Sequence, residues 1–321
     1  MTPLLTVQGL TKHYPLPRPH PFARAPLLRA VEDVSFTIGE GETLGLVGES
    51  GSGKSTIARL ILRLIPATAG RVEFRGRSIL DLPKSEFQAL RRQMQMVFQD
   101  PAGSLNPSYR VAEIIEEPMI VHATPPTAAE RRDRVASLLA QVGLDPSHAT
   151  RWPHEFSGGQ RQRIGIARAL AVEAKLLVAD EPVSALDVSV QAQILNLMQT
   201  LKDAHGLSYL FIAHDLAVVK HMSERVAVMV LGRIVEQAPR AEIWRRPAHP
   251  YTRMLLDAVP RARVPEKRAE ALPPGDMPSP ITPPSGCAFH PRCPSRMPRC
   301  SQSAPPVKEI APGHTAACFL Y

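Results

Sequence analysis

Short apolar runs closed off by Gly, Pro or Asp recur along this chain, and between them stand stretches with apolar residues three and four apart. Thr43-Leu44-Gly45-Leu46-Val47, Leu176 to Ala179 and Ser208 to Ile212 have the length and continuity of buried strands. Leu4 to Leu10, Val34 to Ile38, Arg71 to Gly76 and Met94 to Phe98 read as further strands, and Val226–Val230 and Arg233–Glu236 bracket Leu231-Gly232 as a hairpin. Helical spacing runs from Ile57 to Ile65, with Ile57, Leu60, Ile61 and Leu64 on one face. It returns at Val111 to Ile115, at Ala128 to Val142 (Val135, Leu138, Leu139 and Val142 on one face) and at Gln191 to Ala204. Apolar strands alternating with helices predict an α/β fold around a mainly parallel sheet. The stretch from about 102 to 160 carries helices without strands and reads as a helical insertion.

Composition sharpens this. The chain has 321 residues, 44% of them apolar, enough for one large domain and an appendage. No run of about 18 apolar residues exists, and Met1-Thr2-Pro3-Leu4-Leu5-Thr6 lacks the features of a secretory signal, so the expected location is the cytoplasm. A net charge of +8 permits nucleic acid or an anionic membrane face as neighbour without choosing between them. Aromatics at 5% weaken a base-stacking role. Pro15 to Pro21 reads as an exposed excursion and Leu272 to Pro284 as a linker. Residues 225–268 hold ten Arg/Lys against four Asp/Glu, read as a solvated face.

Candidate chemistry begins at Gly48-Glu49-Ser50-Gly51-Ser52-Gly53-Lys54-Ser55-Thr56, which fits the phosphate-loop pattern G-x-x-x-x-G-K-[ST] between a predicted strand and a predicted helix. Small residues let the backbone curl until its N–H groups point inward, and the following helix aims its positive dipole end there. Lys54 offers a charge for the β- and γ-phosphates of a bound nucleotide, and Ser55 a hydroxyl for Mg²⁺. Asp180 and Glu181 close an apolar strand, at the end where parallel sheets bind ligands. Asp180 suits Mg²⁺, and Glu181 a general base or water-positioning role. Ser157-Gly158-Gly159-Gln160 is a second glycine-bearing helix start whose amides can hold an anion.

With that segment the chain resembles the nucleotide-binding subunit of an ABC transporter. Phe156-Ser157-Gly158-Gly159-Gln160-Arg161-Gln162-Arg163 is similar to the family's signature segment, Ser184-Ala185-Leu186-Asp187 to its D-loop, His214 to its switch histidine and Gln99 to its Q-loop glutamine, in the family's order over residues 4–240. The resemblance implies a head-to-tail dimer in which the Lys54 loop of one subunit and Ser157, Gly158, Gly159, Gln160 and Asp187 of the other enclose one ATP. It implies that Tyr14 stacks on adenine, that Gln99 contacts Mg²⁺ or the attacking water, and that His214 bonds the γ-phosphate. It also implies an ATPase domain over 1–245 with an antiparallel β subdomain, and an extension over 246–321.

A narrower resemblance is to the oligopeptide/dipeptide/nickel import group. Asp100-Pro101, Ser104-Leu105-Asn106-Pro107, Asp180-Glu181-Pro182-Val183-Ser184-Ala185-Leu186-Asp187, His249-Pro250-Tyr251-Thr252 and Cys287 to Pro294 carry it. The implied partners are integral-membrane permease subunits, a second ATPase subunit and, indirectly, an extracytoplasmic solute-binding protein, with the chain peripheral on the cytoplasmic face of the inner membrane. Every cysteine lies in the tail: Cys287, Cys293, Cys300 and Cys318. Four thiolates fit [4Fe–4S] or tetrahedral Zn²⁺, with free thiols as the remaining reading. Related peptide-import ATPases carry a cluster in a similar tail, which favours iron–sulfur. A soluble ABC ATPase of DNA repair or translation is the competing class. One nucleotide-binding unit and no long heptad segment speak against it, and no nucleic-acid partner is expected.

Overall fold

The computed structural model describes residues 3–18, 20, 22, 25–259 and 278–321. Met1 and Thr2, Pro19 and Pro21 of the predicted excursion, the 260–268 end of the basic stretch and the linker from Leu272 to Met277 lie outside the described residues. The chain divides into two compact units, one of residues 1–37, 44–80 and 213–321, the other of residues 38–43 and 81–212.

The first unit opens with β1 (Leu5–Pro15), β2 (Leu27–Ile38) and β3 (Thr43–Val47), then α1 (Lys54–Ile61), β4 (Ala69–Phe74) and β5 (Arg77–Ser78). A four-stranded sheet runs β2-β1-β4-β5, with β1 antiparallel to β4 and Val7 opposite Val72. Two strands are longer than their apolar patterns predict: β1 continues to Pro15, and β2 starts at Leu27. Helix α1 differs from its predicted span at both ends. It starts at Lys54 and stops at Ile61, because Arg63 takes a left-handed φ of 48° and turns the chain, leaving Leu64 half exposed. The strand predicted to end at Gly76 stops at Phe74. Arg75 and Gly76, both at positive φ, form a tight hairpin turn into β5.

The second unit holds α2 (Lys84–Arg91), β6 (Met94–Val97), α3 (Pro101–Ser104), α4 (Val111–His122), α5 (Ala128–Gln141), α6 (Gly158–Leu170), β7 (Leu176–Asp180), α7 (Val188–His205) and β8 (Ser208–Ala213). Strand β7 lies between β6 and β8, parallel to both. Every residue of β7 and β8 is buried, as continuous apolar runs in a covered parallel sheet require. Between β6 and β7 all regular elements are helical. The predicted face of α5 is the buried one: Val135, Leu138, Leu139 and Val142 are each at most 3% exposed.

The first unit resumes with α8 (Leu216–Met222), β9 (Arg225–Val230), β10 (Arg233–Pro239), α9 (Arg240–Arg245), α10 (Pro250–Asp257), α11 (Arg299–Gln302), β11 (Lys308–Ala311) and β12 (His314–Ala316). β3 runs parallel to β9, and β9 and β10 form the predicted hairpin. The tail then adds strands: β12 pairs with β10 (Glu236 opposite Ala316), and β11 pairs with β12. Several arginines of the basic stretch are spent on backbone carbonyls. Arg225 donates to Thr37, Arg240 to Lys220 and Arg253 to Pro247.

Candidate nucleotide site

Strand β3, buried throughout, delivers the chain to Gly48. The loop then closes on itself: the Ser52 N–H donates to the Glu49 carbonyl at 3.2 Å, and the Gly232 N–H holds the Ser52 carbonyl at 2.9 Å. Backbone packs against the loop so closely that two positions admit only glycine. A Cβ on Gly48 would strike the Met229 carbonyl oxygen, and one on Gly53, at φ +105°, the Ala30 carbonyl oxygen. Helix α1 begins at Lys54 with no acidic residue in its first turn, so its amides and dipole leave a site for negative charge over the loop. Lys54 is 4% exposed, and its Nζ donates to the carbonyls of Gly48 (2.8 Å) and Glu49 (3.0 Å), which fixes the ammonium above the loop. Ser50 and Gly51 are exposed; Ser55 and Thr56 are half-buried. This cradle of amides, ammonium and hydroxyl fits a nucleotide's phosphates, and the Ser55 oxygen is the donor type Mg²⁺ takes.

Glu49 behaves differently from its neighbours. Its N–H donates to the Tyr251 hydroxyl at 2.9 Å, and its carboxylate is gripped by Arg292. Both partners come from the C-terminal part of the chain, and no sequence pattern connects either to the loop. Elsewhere in this unit His214 is exposed directly after β8, and Asp215 caps α8 by accepting the Ala217 N–H at 2.7 Å. Tyr14 is half-buried on β1, with the Lys12 ammonium 4.8 Å from its ring centroid.

The second unit gathers the carboxylates. Asp180 ends β7 and is 5% exposed. Glu181 follows in left-handed backbone, φ 47°, a conformation that costs roughly 1 kcal/mol or more outside glycine. It is pinned there: its N–H donates to the Ile212 carbonyl at 2.9 Å, and its own carbonyl accepts the Ser184 hydroxyl at 3.1 Å. Gln99 Nε2 donates to Glu181 Oε2 at 3.0 Å, so the residues read as Q-loop glutamine and base are in direct contact. The segment after β6 is tied in turn to α6, where Gln162 donates to the Phe98 carbonyl and Arg168 to that of Ser104.

Helix α6 starts as its sequence predicts. The Ser157 Oγ accepts the Gln160 N–H at 3.3 Å, and the Gln160 Oε1 accepts the Ser157 N–H at 3.0 Å, a reciprocal cap. Gly159 lies so close to Val190 that a Cβ would collide with it. Asp187 caps α7 by accepting the Val190 N–H at 3.0 Å. The Ser189 hydroxyl, and then that amide, hold its carboxyl below the usual carboxylate range.

The tail leaves one expectation without support. Cys287, Cys293, Cys300 and Cys318 are free thiols, and burial above all pushes Cys287 up to about 11. Among the described residues no three His, Cys, Asp or Glu side chains group so as to hold a metal ion. That arrangement gives no support to the expected [4Fe–4S] or Zn²⁺ centre. The tail takes its order from other contacts. The β11–β12 hairpin pairs with β10, the Cys287 N–H donates to the Cys300 carbonyl at 2.8 Å, and His314 Nε2 bonds the buried Glu236 carboxylate at 2.8 Å.

Comparison with known proteins gives the family. Residues 31–184 match the ABC transporter family, and residues 235–300 match the oligopeptide/dipeptide transporter C-terminal region. A probable peptide ABC transporter ATP-binding protein of Sinorhizobium fredii is 53% identical over 317 residues, 99% of this chain and 90% of the relative. The oligopeptide transport ATP-binding protein AppF of Bacillus subtilis is 50% identical over 322 residues, 99% of this chain and 97% of the relative. The solved dimeric ATP-binding cassette MJ0796, in a post-hydrolysis state bound to ADP and Pi, superposes with a TM-score of 0.66 at 30% identity, covering 74% of this chain and 98% of that one. The chain belongs to the ATP-binding proteins of ABC transporters, and its activity is ATP hydrolysis. Within that class its C-terminal region is of the oligopeptide/dipeptide transporter type.

Proposed function

We propose that this chain is the ATP-hydrolysing subunit of an ABC importer for peptides. The observation that carries the reading is identity at about half of all positions, over 99% of the chain, to ATP-binding proteins named for peptide transport. The proposed ATPase domain covers 1–245 and the transporter-type extension 246–321. The loop amides from Gly48 to Thr56 and the Lys54 ammonium bind the phosphates. Mg²⁺, for which Ser55, Gln99 and Asp180 offer hard oxygen donors, supplies charge neutralisation on the phosphoryl oxygens when bound.

Glu181 takes a proton from the attacking water as that oxygen bonds the γ-phosphorus and the bond to ADP breaks. Gln99, already bonded to Glu181, orients the carboxylate and senses whether the water is in place. His214 donates to the γ-phosphate, and Tyr14 offers its ring to adenine. Ser157, Gly158, Gly159, Gln160 and Asp187 act in trans on the nucleotide of a second ATPase subunit. Closure and reopening of that pair drive permease subunits, which receive solute from an extracytoplasmic binding protein. The chain works peripherally on the cytoplasmic face of the inner membrane; among the described residues no helix is long and apolar enough to cross a membrane.

Glu181→Gln tests the assignment. The variant, assembled with its permease, is expected to bind ATP, to accumulate in a closed dimer and to turn over at least a hundredfold more slowly, on the order of what a catalytic base contributes. Hydrolysis at the wild-type rate would remove Glu181 from its role. Peptide-stimulated ATPase activity in the assembled transporter tests the solute class.

A further inference from the structure

The phosphate loop contains one acidic residue, Glu49. A carboxylate there is at odds with the loop's purpose, because it repels a bound triphosphate. The fold answers it from the far end of the chain. Arg292 Nη1 and Nη2 lie 2.9 Å from Glu49 Oε2 and Oε1, a parallel two-bond fork, with side chains only 12% and 29% exposed. Arg292 is itself held, with Nη2 on the Met254 sulfur at 3.6 Å and its guanidinium 5.9 Å from the Phe289 ring centroid. The Phe289 ring packs on Tyr251 at 5.3 Å, and the Tyr251 hydroxyl accepts the Glu49 N–H. The N–H and the carboxylate of Glu49 are therefore both held by the C-terminal extension.

We propose that Arg292 and Tyr251 are positioning residues for nucleotide binding: the extension clamps Glu49, fixes the start of the phosphate loop and cancels the charge it would otherwise present to ATP. The nucleotide-binding core is thereby completed by residues 243 and 202 positions downstream of the residue they hold. Two consequences separate this clamp from a staple that merely fastens the tail. Removing the Arg292 charge weakens ATP binding, and removing the Glu49 charge as well restores it, because the damage is an uncompensated carboxylate and not a loosened tail. A staple predicts the reverse, equal loss of stability in both variants and no change in affinity in either.

The experiment measures MgATP affinity of the purified full-length chain by titration calorimetry at low and at physiological salt. The variants are Arg292→Gln, Arg292→Gln/Glu49→Gln and Arg292→Lys, with circular dichroism and thermal unfolding alongside. Arg292→Gln is expected to bind MgATP about tenfold more weakly, with a smaller deficit at the higher salt. The double variant is expected to return to within about threefold of wild type, since coupled partners are non-additive. Arg292→Lys keeps the charge and loses the fork, so it falls between. Affinity of Arg292→Gln within about twofold of wild type, or failure of the second substitution to restore it, overturns the clamp. If Arg292→Gln does not fold, Arg292→Lys carries the test through its salt dependence, which must match wild type. The wild-type affinity measured in the same series tests the nucleotide site itself, and the differences test the clamp.

Discussion

Replacing His249 with Asn tests how the segment bearing Tyr251 is seated. His249 is 1% exposed and caps α10, its Nδ1 accepting the Tyr251 N–H at 3.1 Å. An accepting Nδ1 requires a neutral ring. Burial, helped by the charge of Arg253, pushes its pKa from 6.5 down to about 4. Beneath it the Glu236 carboxylate, buried on β10, accepts the N–H groups of Ala248 and His249, each at 2.8 Å, so the residue has no easy route to water. In the unfolded chain the ring titrates at its ordinary value. Below pH 6.5 the unfolded state takes up a proton that the folded state refuses until about pH 4. The sign follows: the folded pKa is depressed, the unfolded state binds more protons in this window, and stability falls as pH falls through it. From about pH 7 to about pH 4.5 this one group removes about 2 kcal/mol.

Asn keeps a capping oxygen at that position and does not titrate. Denaturant unfolding of the full chain and of His249→Asn, at about pH 7, 5.5 and 4.5, reads the difference directly, because every other group titrates in both proteins. The wild type is expected to lose about 2 kcal/mol more than the variant across that range. Profiles that stay parallel within about 0.5 kcal/mol would refute the buried neutral histidine and, with it, the account of how Tyr251 is aimed at the loop.

Two further outcomes follow from backbone geometry. Gly53→Ala places a Cβ against the Ala30 carbonyl oxygen at a φ of +105°, and neither backbone can rotate away. It is expected to destabilise the chain by roughly 2–4 kcal/mol and to abolish the stabilisation that MgATP confers on the wild type, both read by thermal unfolding. Retained MgATP stabilisation would mean the loop is wider than its packing implies. Ser157→Ala removes the oxygen that caps α6 and is expected to lower stability by about 1 kcal/mol. Turnover by the assembled transporter falls with it, while equilibrium ATP binding by the isolated chain does not. Weaker binding by the isolated chain would place Ser157 at its own subunit's nucleotide and count against action in trans.

What the sequence reveals here depends on how far apart the interacting residues lie along the chain. The Ser157 cap, the buried runs of β3, β7 and β8, and the Gly48–Lys54 turn are decided by residues within a few positions of one another, and all are legible. The end of α1 is not, because nothing in Leu62-Arg63-Leu64 announces that Arg63 adopts φ 48°. Contact between two recognisable residues can hide as well: the order of Gln99 and Glu181 is readable, but their 3.0 Å hydrogen bond joins residues 82 apart. The cysteine-bearing tail is another case. The clustering of its cysteines in the sequence invites a shared ion, whereas the tail's order comes from β-pairing to β10 and from Glu236–His314, whose partners lie 78 residues apart. Yet the longest-range contact of the site left a local trace. A glutamate inside a loop built to attract anions is inconsistent with its surroundings, and such an inconsistency persists only where a compensating group exists elsewhere. The position of Glu49 in the sequence thus implies a compensating cation, and the fold supplies it as Arg292, 243 residues downstream.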